Sequence, residues 1–423
     1  MNEQLLHYIW QFTHFDVSAL FTTKHLPISI YSVGKPNPNA GADFLNAKIG
    51  IDELVWFGDV ELHINSSDWN KHAHHKDKKY NSVILHVVWQ EDKVIQNNNE
   101  EEIHCLELQP LVNHSLLGFY RQLMQSKSWI LCQPYFKEVD EFIISQFTER
   151  LLIERMEEKS KALTAVFVKQ NNNLESMFYQ SLCHSLGLKI NSTPMYYLSN
   201  QLPYKVLSKH RNNLFQIEAL LFGVAGFLRD VDDSYGLSLK KEFSFLKHKY
   251  KLEEMDVDQW MFMRLRPSSF PTIRIAQLAQ LIVNNTHFFS RVLQTNSIHD
   301  LRKIFKSSVS DYWLTHYHFK KTSVKRQKSI GVDLFKSIVI NTVCPSLFMY
   351  AKEKGDEAFQ EKSIRFLGEI KAEDNSVIRG FTKMGLRVAN AAQSQALLQL
   401  KRKYCEPKKC LNCNIGNDLI AKK

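Results

Sequence analysis

No apolar run in the 423-residue chain approaches the ~20 residues that a bilayer-spanning helix requires. The longest, Ile217 to Leu228, is short and interrupted by Gly223 and Gly226. The opening Asn2-Glu-Gln4 offers neither a basic segment nor a cleavable apolar core, so no secretory signal and no membrane association are expected, and the cytoplasm is the expected location. No internal repeat is evident, and no low-complexity segment beyond the Asn97 to Asn99 turn. Cysteine is scarce and odd in number, seven in all, which argues against a disulfide framework and towards a metal site or free thiols. An acidic excess is also missing. Lys and Arg total 54 against 44 Asp and Glu, a net charge of +10, which favours phosphate backbones or other anionic partners without specifying one.

What is present reads as a globular protein. Hydrophobic residues make up 44% and charged residues 23%, excluding global disorder, and the length predicts two or three domains. An apolar helical stripe (Leu5, Leu6, Ile9, Trp10) opens the chain. Strands are expected at Ile28 to Val33, Phe44 to Ile51, Leu54 to Ile64, Val83 to Trp89 and Ile103 to Leu108. Gly34 to Gly41 is a loop, and Asp52-Glu53 a tight connection. From about residue 111 helical periodicity dominates. The fold class is therefore α+β: a small mixed β-sheet domain over 1–110, a mainly helical region over 111–400, and a cysteine-bearing tail over 401–423.

The chemistry-bearing residues crowd between residues 34 and 89. Asp43 stands at the entry to the second strand, and period-two geometry puts Glu61 and His63 on one face of the third. If these strands form a hairpin, Asp43 meets Glu61, giving a hard-metal site for Mg²⁺ or Mn²⁺. Asp68, His72 and His74 follow. His72-x-His74 supplies two imidazoles if extended, although His72, His74 and His75 individually read as a solvated loop. His86, inside the apolar run Val83 to Val88, needs a partner when buried, as a core histidine or as part of the site.

The segments Gly41-Ala-Asp-Phe-Leu-Asn-Ala47, Gly58-Asp-Val-Glu-Leu-His63, Ser66-Ser-Asp-Trp69, His72-x-His74, Val83-Ile-Leu-His-Val-Val88 and Glu218-Ala-Leu-Leu-Phe-Gly223 resemble a bacterial family of unknown function over most of the chain. A second resemblance, confined to the N-terminal part, is to the PD-(D/E)xK nucleases. Their core runs helix, three strands, helix, strand, with an Asp opening the second strand and Glu-x-Lys on the third. It implies metal binding by Asp43 and Glu61, with His63 at the lysine position. A histidine there serves as a base near neutral pH, or as a third metal ligand, which points away from the nuclease mechanism.

Near the C-terminus, Cys405-x₄-Cys410-x₂-Cys413 has metal-ligand spacing, one thiolate short of a structural zinc or iron–sulfur site. Cys344 is the expected fourth ligand, with His316 or His318 as alternatives, and the role expected is a staple. Arg264, Arg266 and Arg274 either face phosphates or stay solvated. Three functions follow as expectations. The leading one is a Mg- or Mn-dependent phosphodiesterase on nucleic acid, with Asp43, Glu61 and His63 catalytic. The others are a non-catalytic nucleic-acid-binding scaffold, and a zinc hydrolase of another substrate built on His63, His72, His74 or His86.

Overall fold

The N-terminal stripe forms helix α1 (Glu3–Gln11), capped by Asn2, whose side chain accepts the Leu5 amide at 2.8 Å. It buries Leu5, Leu6, Tyr8, Ile9 and Trp10, leaving Glu3 and His7 off the apolar stripe. The computed structural model describes residues 1–423. They form two compact units, residues 1–147 with 400–423, and residues 148–399.

The first unit is built on a mixed sheet of β1 (Leu20–Phe21), β2 (Pro27–Ser32), β3 (Lys35–Pro36), β4 (Phe44–Ile51), β5 (Leu54–Asn65), β6 (Val83–Gln90) and β7 (Cys105–Glu107). Its order is β1-β2-β4-β5-β6-β7, with β3 paired to β4. Strands β2, β4 and β5 are an antiparallel meander, whereas β5–β6 and β6–β7 are parallel. Asp52-Glu53 is the two-residue hairpin connection, with Asp52 at φ 54°, the left-handed backbone that tight hairpins need.

Two local features aim the site. A bulge between Phe44 and Ala47, with Asn46 at φ 58°, bends β4 where it meets β5. Opposite it, Gly58 admits β6: a Cβ there would lie 2.4 Å from Ile84 Cγ2 and 2.5 Å from the Ser82 carbonyl oxygen. The parallel crossover from β5 to β6 passes through the single turn α2 (Asp68–Lys71) and two 3₁₀ turns, His74–Lys76 and Lys78–Tyr80. Fully buried Trp69 pins this crossover, donating its indole N–H to the Gln96 carbonyl at 3.0 Å. Ser66 fastens its start, accepting the Asp92 and Lys93 amides at 3.0 and 2.9 Å, so the Ser66-Ser67 pair is a clamp.

Helix α3 (His114–Gln125) follows, then the long α4 (Glu141–Lys169). The second unit is helical. Asn173 caps α5 (Leu174–Leu186), accepting the Ser176 amide at 2.8 Å. A stretch over Val332–Lys354, joined through a π-helical turn at Val339–Val343, is long and apolar enough to cross a membrane, but 72% of its apolar window is buried in the fold. Arg274, weighed above as a phosphate contact, points inward. It is 8% exposed and bonds Gln277 and Ser269 at 2.9 and 3.1 Å, so burial excludes it from a binding surface.

Candidate metal centre

The β4–β5 pairing brings Asp43 beside Glu61. The Asp43 amide donates to Glu61 Oε2 at 3.1 Å, and the Leu62 amide donates to Asp43 Oδ2 at 3.0 Å. His63, two residues along β5 from Glu61, shares its face, and its Nε2 stands 3.7 Å from Glu61 Oε1. Asp43, Glu61 and His63 therefore converge.

The crossover adds two imidazoles. His63 Nε2 faces His72 Nδ1 at 3.1 Å, and His74 Nε2 lies 3.2 Å from Glu61 Oε1. His63, His72 and His74 each offer one nitrogen, all within 4.8 Å of one another. The spacing arises from a turn, not from the extended backbone expected for His72-x-His74. His72 caps α2, Ala73 is left-handed (φ 61°, ψ 26°), and His74 opens the next turn. Left-handed backbone costs a non-glycine residue about 1–2 kcal/mol; strain of that kind collects at functional sites. The solvated-loop reading of His72 and His74 is thus corrected: both side chains turn onto the sheet face, although His72 stays solvent-exposed.

His86 sits behind this group. Fully buried, its Nε2 meets His63 Nδ1 at 2.8 Å. That contact occupies the rear nitrogen of His63 and leaves Nε2 for the cluster, the way an outer partner orients a metal-bound imidazole. Asp68 is outside the cluster. It accepts the Asn65 amide at 3.1 Å and pairs with Lys71, serving the turn.

Electrostatics match a cation site. Burial, with the Asp43 charge second, pushes Glu61 up to about 9, so it holds its proton at neutral pH. Burial, then His74 and His72, brings His63 down to about 4, and burial lowers His74 and His86 as well. Neutral imidazoles are the ligand form, and a carboxyl that ionises only beside a positive charge completes them.

Two residues passed over in the sequence belong here. His7 of α1 sets its Nε2 3.3 Å from Asp43 Oδ2, and the charge of Glu3, one turn earlier, acts on Glu61. Their i, i+4 spacing off the apolar stripe was the available signal. Tyr80 stacks on His74 with centroids 3.8 Å apart; an aromatic in a Lys-rich turn gave no sign of it.

A family model described as "Protein of unknown function (DUF2851)" matches residues 3–376. The chain belongs to this family. No curated protein and no solved structure matches the chain. In this DUF2851 protein the matched stretch carries the whole histidine–carboxylate cluster, whereas Cys405, Cys410 and Cys413 lie beyond it. Of the cysteines, Cys344 lies in the second unit, fully buried, with the Ser363 hydroxyl and the Lys159 charge acting on its thiol. His316 and His318, also in that unit, are turned to the backbone carbonyls of Tyr312 and Phe319.

Proposed function

We propose that this protein is a metal-dependent phosphodiesterase of the cytoplasm that acts on nucleic acid. The observation that carries the reading is the convergence of Glu61, His63, His72 and His74, with Asp43 hydrogen-bonded beside them. Three imidazoles and a carboxylate suit a borderline transition ion, Mn²⁺ or Zn²⁺, better than Mg²⁺, which prefers oxygen ligands. Such an ion polarises a phosphoryl oxygen and lowers the pKa of bound water.

The chain's own residues divide the remaining work. His63, His72, His74 and Glu61 hold the ion. His86 fixes the His63 ring, and His7 holds the Asp43 carboxylate beside Glu61. His63 then acts as a ligand and not as the water-activating group that a PD-(D/E)xK lysine provides. Exposed His72 marks the side from which a substrate enters. Support for nucleic acid comes from the order helix, three antiparallel strands, short helical crossover and parallel strand, with acids at the nuclease positions. The +10 net charge adds to it.

The test is cleavage of single- and double-stranded DNA and RNA with Mn²⁺, Zn²⁺ or Mg²⁺, beside Asp43→Ala, Glu61→Ala and His72→Ala. Loss of cleavage in all three variants is expected. Undiminished cleavage in the Asp43 and Glu61 variants rejects the assignment. The three-imidazole set also favours a second reading, a zinc hydrolase of a non-nucleic-acid ester or amide. Tight zinc binding without nucleic-acid cleavage would select it.

A further inference from the structure

A second group of ligand-type residues lies in the first unit, and the proposed function does not use it. Cys405 ends the helical turn Lys401–Cys405, Cys410 opens the turn Cys410–Asn412, and Cys413 is the N-cap of the C-terminal helix Asn414–Ala421. The backbone folds these three together. The Lys408 amide donates to the Cys405 carbonyl at 3.2 Å, with Lys408 left-handed, and the Cys413 amide donates to the Cys410 carbonyl at 3.2 Å. Gly416 permits that tightness, since a Cβ there would lie 2.2 Å from the Cys410 oxygen.

The fourth thiol comes from far earlier in the chain. Cys132 is the N-cap of the 3₁₀ turn Gln133–Glu138, and that segment is tied to the C-terminus at several points. Lys422 Nζ donates to the Glu138 carbonyl at 2.9 Å, and the Asp140 amide donates to Asp418 Oδ2 at 3.3 Å. Lys401 Nζ stands over the Trp129 ring at 5.3 Å. Cys132 and Cys413 are 8% and 7% exposed. All four are free thiols, yet each of Cys132 and Cys405 feels the charges of its neighbours in the set. Burial, then those neighbours, raises Cys132 and Cys410 to about 12. The Cys413 sulfur, by contrast, accepts the Ile415 and Gly416 amides, the pattern that supports a thiolate at a helix N-terminus. Four half-buried to buried sulfurs that oppose one another's ionisation coexist as thiolates only around a cation.

We propose that Cys132, Cys405, Cys410 and Cys413 ligate one thiolate-bound metal centre, a zinc ion or an iron–sulfur cluster, that staples the C-terminal segment to the sheet unit. Cys132 takes the place expected for Cys344. The centre is independent of the histidine site and stands or falls apart from it.

The experiment is metal and acid-labile sulfide analysis of the full chain, purified under reducing, oxygen-free conditions. It is run in a His72→Ala, His74→Ala background so that the first site adds no zinc. One zinc per chain without colour identifies a single ion; iron with sulfide and visible absorption identifies a cluster. Either must be lost in Cys132→Ser and kept in Cys344→Ser. A reduced protein free of both metals overturns the proposal, as does full retention in Cys132→Ser. Should Cys132→Ser fail to fold, alkylation decides on the parent chain. Half-exposed Cys405 and Cys410 are expected to be blocked until a chelator is added. Equal labelling before and after chelation overturns the proposal.

Discussion

Glu61 makes metal binding a proton-releasing event. With its carboxyl pushed up to about 9 by burial and by Asp43, only about one molecule in a hundred carries it ionised at pH 7. Loading a divalent ion through Glu61 Oε1 requires the ionised form, so binding expels about one proton per ion at pH 7–8. His63 and His74 release none there, because both are shifted down from their ordinary value and are already neutral. Affinity for Mn²⁺ or Zn²⁺ should therefore rise about tenfold per pH unit, about 1.4 kcal/mol, and level off near pH 9. Titration calorimetry in two buffers of different ionisation heat counts the protons, and the Kd series gives the slope. Glu61→Gln should bind more weakly at pH 9 and lose most of the slope between pH 7 and 9. Proton release near zero in the parent protein, or an unchanged slope in Glu61→Gln, refutes the reasoning.

Other outcomes follow from the same geometry. In the metal-free protein the raised Glu61 value means that the folded state holds a proton which the unfolded state has lost. Stability on this account is full below about 4.5 and falls as pH rises towards about 9, by up to about 1.4 kcal/mol per unit. Urea midpoints measured from pH 6.5 to 8 should drop in the parent and flatten in Glu61→Gln. Replacing His86 with Phe should weaken the first-site metal by about 10–100-fold while His63→Ala abolishes binding, because His86 orients His63 without ligating; equal losses would make His86 a ligand. Ala73→Gly relieves left-handed strain and should raise the urea midpoint by an amount worth about 0.5–1 kcal/mol, metal binding being retained. Gly58→Ala should destabilise by about 1–3 kcal/mol, since its Cβ would meet Ile84 and the Ser82 carbonyl; a neutral result would mean that β6 yields at that point.

Local pattern was enough for the elements, because periodicity and turn chemistry act over a few residues. Strand Phe44 to Ile51, its Asp52-Glu53 hairpin and helix Leu174 to Leu186 with its Asn cap fall where the sequence placed them. So does the meeting of Asp43 with Glu61, which needs only a hairpin register, and the sharing of a face by Glu61 and His63, which needs only a period of two. Long-range closure decided the rest. His72 and His74 looked like a solvated loop because nothing in their neighbours announces a left-handed Ala73, and the turn is held by Trp69 and Ser66 reaching segments near residues 92 to 96. His7 enters through packing of α1 on the sheet. Cys132 was read as an isolated core thiol beside Leu131 and Ile130. Only the tying of its segment to the C-terminal helix sets it with Cys405, Cys410 and Cys413, a proximity that chain folding creates and sequence spacing does not encode.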